Sequence, residues 1–134
     1  GHQIQVAIDS DVRLRGAEKE LHSAISNLAY NAVQHTPPGS QITLNWKLDD
    51  QGRGCLSVAD NGEGIPAAHL SRLTERFYRI DADRSRATGG TGLGLAIVKN
   101  VATLHAAELQ ISSEVGAGSQ FILLFPSSRL IPAA

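Results

Sequence analysis

Residues 89–106, GGTGLGLAIVKNVATLHA, put four glycines in six positions (Gly89, Gly90, Gly92 and Gly94) directly before an apolar-periodic helix. Glycine permits positive φ and close approach of a ligand to the main chain. A helix start carries unpaired N–H groups and the positive end of a dipole. Such a loop is either a phosphate site or a hinge before a helix. It is not a Walker loop, because no Lys-Ser or Lys-Thr pair follows the last glycine, and it lacks the spacing and βαβ setting of the dinucleotide fingerprint. Asn27 and Asn31 lie four apart, on one face of an earlier helix. Asparagine is a mediocre helix former, and its amide oxygen can ligate a hard cation such as Mg²⁺ without adding charge; taken alone, the pair reads more simply as two solvated amides. Asp60 ends an apolar strand before Asn61-Gly62. A carboxylate there can accept from a buried amine, and against adenine's exocyclic amine it would reject guanine. By itself, Asp-Asn-Gly is turn chemistry. Gly62 and Gly64 would let the backbone approach a flat ring. The stretch Glu75-Arg76-Phe77-Tyr78-Arg79-Ile80-Asp81 lacks sustained periodicity and suits either a lid, with arginine forks for phosphate and Phe77 and Tyr78 as apolar anchors, or a solvated loop.

These residues need elements to hold them. Residues 3–8 and 12–15 read as strands and 17–35 as a helix, with Leu21, Ile25, Leu28, Ala29, Ala32 and Val33 at helical spacing before Pro37-Pro38-Gly39. Residues 41–48 and 54–60 form a hairpin around Asp49-Asp50-Gln51-Gly52. Pro66 opens a short helix at 67–73, the glycine stretch leads into a helix at 92–106, and 108–113 and 119–125 make a second hairpin. The tail from Pro126 to Ala134 is expected to be loosely held. Hairpins mixed with amphipathic helices predict an α/β sandwich, one mixed sheet covered by helices on one face.

With 134 residues and 42% hydrophobic content the chain suits one domain with a core. A net charge of −1 supplies no basic field for nucleic acid. The lone Cys55 excludes an internal disulfide, suits a reducing compartment, and reads as a small buried core residue. No apolar run approaches the roughly 20 residues of a membrane span. The opening Gly1-His2 directly before a strand suggests an excised piece of a longer protein, whose remainder would hold any membrane segment.

In sequence order the strings are NLAYNA (27–32), DNGEGI (60–65), ERFYRID (75–81) and GGTGLGL (89–95). This set resembles the N box, first glycine box, F box and second glycine box of the ATP-binding domain of bacterial sensor histidine kinases, within the superfamily of gyrase, Hsp90, histidine kinase and mismatch-repair ATPases. The resemblance spans residues 3–126. LTERFYRID, TGLGLAIVKNV and SAISNLAYNAVQHTPPG are most similar to the phosphate-regulon branch.

The resemblance implies a Bergerat-type sandwich: a largely antiparallel sheet of five strands, three helices on one face, and a flexible ATP lid over 76–91. It implies a catalytic domain over 1–126 followed by a tail, 127–134. By similarity, Asn31 is the Mg²⁺ ligand and Asn27 sits beside the metal-bound phosphates. Asp60 holds the adenine amine, Gly62 and Gly64 shape the pocket floor, and Ile65 and Leu95 line it. Gly90, Thr91, Gly92, Leu93 and Gly94 close over the phosphates, Arg79 and Arg84 contact the γ-phosphate, and Phe77 packs the lid. Hydrolytic superfamily members carry a glutamate one turn before the metal asparagine. Here that place holds Asn27, and an amide is no general base near neutral pH. The expectation is therefore that ATP is held with little hydrolysis and its γ-phosphoryl group passed to a histidine in a separate dimerisation domain.

None of His2, His22, His35, His69 or His105 lies in the acceptor context of the family. This piece is thus expected to be monomeric and unable to autophosphorylate. In the full-length protein, the cytoplasmic portion of an inner-membrane kinase, a response regulator would be the onward partner. Two other readings are an anti-sigma-type serine kinase of the same superfamily, disfavoured by the F-box-like lid, and a nucleotide-sensing module without transfer, disfavoured by the presence of every box.

Overall fold

The computed structural model describes residues 3–8, 12–34, 36–37, 39–70, 72–73 and 94–131. The strands are β1 (Gln3–Ile8), β2 (Arg13–Leu14), β3 (Gln41–Leu48), β4 (Gly54–Asp60), β5 (Glu108–Glu114), β6 (Gly118–Phe125) and β7 (Leu130–Ile131); the helices are α1 (Glu18–Gln34), α2 (Ala67–Leu70) and α3 (Gly94–Leu104). Five strands form one sheet in the order β1-β3-β4-β6-β5. β1 runs parallel to β3 and the other pairs are antiparallel, which is the mixed sheet expected from the sequence. A parallel pair needs a crossover, and α1 supplies it.

Side chains alternate across a sheet, so cross-strand partners share a face. The register aligns Leu44, Val58, Phe121 and Ile111 in one row and Trp46, Leu56, Leu123 and Leu109 in the next. Both rows join the core that α1 closes with Ala24, Leu28 and Ala32, and α3 with Leu95, Val98, Val101 and Ala102. Trp46 meets Phe125 edge to face at 6.3 Å and donates its indole N–H to the Val12 carbonyl at 2.9 Å.

The two long helices are antiparallel, tied at one end by His105. Its ring is 1% exposed. Nε2 accepts the Ala17 N–H at 2.9 Å and Nδ1 lies 2.8 Å from the Val101 carbonyl. Accepting through Nε2 while donating through Nδ1 is the pattern of a neutral imidazole. Just beyond, α3 ends in a Schellman arrangement: the Ala107 N–H reaches the Ala102 carbonyl at 2.8 Å and the Ala106 N–H the Thr103 carbonyl at 3.2 Å. Ala106 takes φ 56° there, the position glycine fills most readily.

Several expectations are corrected. The tail is not loosely held as far as Ile131: β7 pairs antiparallel with β2, and the Arg15 N–H donates to the Arg129 carbonyl at 2.7 Å. The isolated run 12–15 is the strand that finds this partner. The helix at 67–73 is only Ala67–Leu70, after which Leu73 turns into the core. β1 does alternate, and its register places Ile4, Val6 and Ile8 on the core face, yet they are 56%, 67% and 71% exposed because this edge strand lies beyond the helices' cover. Cys55 is buried, but it alternates with the core residues Leu56 and Val58 and so lies on the opposite face of the sheet. Burial there pushes its thiol up, with the Lys47 ammonium pulling weakly the other way. The lid and most of the glycine stretch (74–93) lie outside the described residues.

The turn between β5 and β6 packs against the first glycine box, residues 60–65. The Gly116 N–H donates to the Glu63 carbonyl at 2.7 Å. Gly64 has φ +80°, and a Cβ on it would stand 2.2 Å from the Glu114 carbonyl oxygen. Two predictions follow from these backbones, both read by chemical denaturation. Ala106→Gly raises stability by about 0.5–1 kcal/mol, relief of left-handed strain outweighing the added unfolded-state entropy. Gly64→Ala lowers it by roughly 2–4 kcal/mol, through strain and backbone overlap together.

Candidate functional site

At one end of the sheet the apolar rows stop. The next row reads Ile42, Asp60, Ser119 and Ser113 across β3, β4, β6 and β5, on the face the helices cover. Burying polar groups there requires partners. Asp60 Oδ1 accepts the N–H groups of Gly62 at 2.9 Å and Ser119 at 3.3 Å. Its side-chain hydrogen bonds with described residues all use that oxygen, so Oδ2 is left available as an acceptor. Ser113 Oγ accepts the Ile65 N–H at 2.6 Å, lies 3.0 Å from the Gly118 carbonyl and 2.9 Å from Ser119 Oγ. The segment 62–65 is thereby tied both to the carboxylate and to β5.

The helices bring the second group. Asn27 donates its Nδ2 to the Ser23 carbonyl at 2.8 Å, one turn back along α1. Its Oδ1 faces the first residue of α3: a Cβ on Gly94 would come within 3.0 Å of that oxygen. A side chain there would press on the Asn27 amide, which would have to give by a few tenths of an ångström. Asn31, one turn on, is half-buried, and its side chain makes no hydrogen bond with another described residue. Past the end of α1, the buried Thr36 hydroxyl donates to the Ala32 carbonyl at 2.8 Å. Its methyl lies against Gly62, where a Cβ would stand 2.6 Å away. α1 therefore runs from the start of α3 to the Asp60 turn. Nine residues separate Asn27 from Thr36, on the order of 13 Å at helical rise.

Of the residues singled out in the sequence, the structure brings Asn27 to Gly94 and Asp60 to Gly62. It buries Ile65 and Leu95, each 8% exposed, in the same cluster. Asn31 shares α1 with Asn27, and Gly64 packs on the β5–β6 turn. Phe77, Arg79, Arg84, Gly90, Thr91, Gly92 and Leu93 lie outside the described residues. Sequence reasoning missed Ser113, Ser119 and Thr36. Strand parity carried the signal for the two serines, since each stands two residues from a core position, Ile111 and Phe121. Among the described residues no three His, Cys, Asp or Glu side chains cluster.

Comparison with known proteins matches this arrangement to one family. The model of "Histidine kinase-, DNA gyrase B-, and HSP90-like ATPase" covers residues 16–129. The chain is 50% identical over 132 residues to the phosphate regulon sensor protein PhoR of Pseudomonas aeruginosa, covering 98% of this chain and 30% of that protein. It is 42% identical over 126 residues to the sensor-like histidine kinase SenX3 of Mycolicibacterium smegmatis, covering 92% and 33%. Among solved structures, the mycobacterial sensor histidine kinase MprB superposes with a TM-score of 0.83 at 29% identity, covering 98% of this chain and 86% of that one. Full-length ShkA in complex with AMPPNP gives 0.81 at 30% identity, covering 100% of this chain and 27% of that one. No helix among the described residues is long and apolar enough to cross a membrane. The chain belongs to the histidine kinase-, DNA gyrase B- and HSP90-like ATPase family, as an ATP-binding catalytic domain of the sensor histidine kinase type.

Proposed function

We propose that this domain binds ATP with Mg²⁺ between α1, α3 and the Asp60 turn, and presents the γ-phosphoryl group to a histidine on a separate dimerisation domain. The observation that carries the reading is the Asp60 carboxylate. One oxygen is fixed by two backbone N–H groups, and the other is left as an acceptor at the end of an apolar core. Such a group recognises an exocyclic amine and repels a carbonyl oxygen. Ile65 and Leu95 supply apolar walls, and Gly62 and Gly64 the floor.

Along α1, Asn31 is the metal ligand, near the Asp60 end of the helix, and Asn27, one turn back, holds the phosphates against the amides that open α3. A cation held by one neutral amide takes its remaining ligands from phosphate oxygens and water, the usual manner of Mg²⁺. The magnesium nucleotide supplies the transferable phosphoryl group and its neutralised charge. The chain orients it and, with Asn27 where a general base would stand, provides no group to activate water. Arg79, Arg84 and Phe77, with residues 90–93, form the lid in this reading. The ShkA structure with AMPPNP supports nucleotide as the ligand class. The matched relatives are about three times longer than this chain, so the acceptor histidine and the response-regulator partner belong to the full-length protein, and we place this domain on its cytoplasmic side.

Asn31→Ala is predicted to abolish the Mg²⁺-dependent part of the thermal stabilisation by ATP. An undiminished shift with Mg·ATP contradicts the metal assignment. Asp60→Asn weakens ADP binding by about tenfold or more, because it replaces a charged acceptor and offers a donor to the amine; wild-type affinity by calorimetry rules out the adenine assignment. Mixed with a separately prepared acceptor domain and Mg·ATP, the chain should yield acid-labile, base-stable phosphohistidine. Acid-stable phosphoserine on a sigma antagonist, or binding without transfer, would favour the other readings.

A further inference from the structure

We infer that Ser113 is a positioning residue for purine recognition, acting through Ile65 and Asp60 without touching the base. The inference rests on the Asp60 reading above and adds to it the group that aims the carboxylate. Ser113 Oγ sits at the junction of three bonds: it accepts the Ile65 N–H at 2.6 Å, donates toward the Gly118 carbonyl at 3.0 Å, and meets Ser119 Oγ at 2.9 Å. Ser119 in turn donates its backbone N–H to Asp60 Oδ1 at 3.3 Å. A single hydroxyl thus links the wall residue, the end of β6 and the acceptor.

The linkage matters because it ties the segment 62–65 to β5. The Gly62 N–H also donates to Asp60, and the Glu63 carbonyl accepts from Gly116. Without the Ser113 hydroxyl the Ile65 N–H loses its acceptor, at the point where Ile65 enters the core at 8% exposure. An N–H left unpaired next to the core seeks water, and the segment relaxes away from β5. That displacement changes the angle at which Asp60 Oδ2 meets an exocyclic amine. It does not alter the Asn27–Gly94 contact, which lies midway along α1 at the start of α3.

The test compares ATP with inosine triphosphate, which carries an oxygen where adenine carries its amine, by calorimetry on wild type, Ser113→Ala and Ser113→Thr well below their melting temperatures. Wild type prefers ATP. Ser113→Ala loses about three- to tenfold in ATP affinity, while its inosine triphosphate affinity stays within about twofold, so the preference shrinks. Ser113→Thr, which keeps the hydroxyl, restores it. A wild type without preference for ATP means that the Asp60 reading has failed, and this inference with it. Where wild type discriminates, the Asp60 reading stands, and three results overturn the role of Ser113 alone: unchanged ATP affinity in the alanine variant, equal weakening of both nucleotides, or no recovery with threonine. Should the alanine variant not fold, Ser113→Cys, nearly isosteric with a poor acceptor, must still narrow the preference, and an undiminished preference is equally decisive against it.

Discussion

A pleated sheet has to end its apolar rows somewhere, and here it ends them on a carboxylate. The row Ile42–Asp60–Ser119–Ser113 occupies the helix-covered face, where an unpaired charge is costly. The cost is offset on one oxygen only, by the N–H groups of Gly62 and Ser119. In the proposed function such an acceptor, held rigid on one side and left open on the other, recognises an amine that completes the hydrogen bonding the fold leaves unfinished. Much of the local architecture serves this arrangement. The positive φ of Gly64 lets the turn press on β5, Glu63 clasps Gly116, and Ser113 holds Ile65.

The second requirement is a fixed distance between the two ends of the site. α1 provides it as a stiff bar, with Asn27 at the start of α3 and Thr36 against the Asp60 turn. The bar is held in place from its far end, where the neutral His105 ring accepts the first-turn N–H at Ala17 and packs edge-on to Phe125 at 6.3 Å. Helix packing and strand register together set the spacing between the start of α3 and the Asp60 turn.

How much of this was legible in the sequence follows from the range of the interactions. α1 was clear because Leu21, Ile25, Leu28, Ala29, Ala32 and Val33 repeat at a local period, and the two hairpins because turn residues separate alternating runs. The four boxes named the family because each is a contiguous string. What was not legible depends on pairing across the chain. The β2–β7 ribbon joins residues more than a hundred positions apart, so both halves read as weak segments. The exposure of Ile4, Val6 and Ile8 follows from β1 being an edge, a property of strand order that alternation does not encode. Cys55 was correctly read as buried, but it stands out of phase with Leu56 and Val58, which the strand register puts on the core face. Ser113 and Ser119 look like ordinary strand residues until that register lines them up with Asp60.

The central claim is that the polar end row and the start of α3 are the two ends of one nucleotide site. The most direct measurement is a titration of isotope-labelled protein with ADP, followed by backbone amide chemical shifts. The account predicts that Gly62, Ile65, Ser119 and Gly94 move together along one saturable curve, while Thr43, Asn45 and Gln110 on the opposite face stay still. Shifts confined to that opposite face, or separate curves for the Asp60 turn and the start of α3, would contradict it.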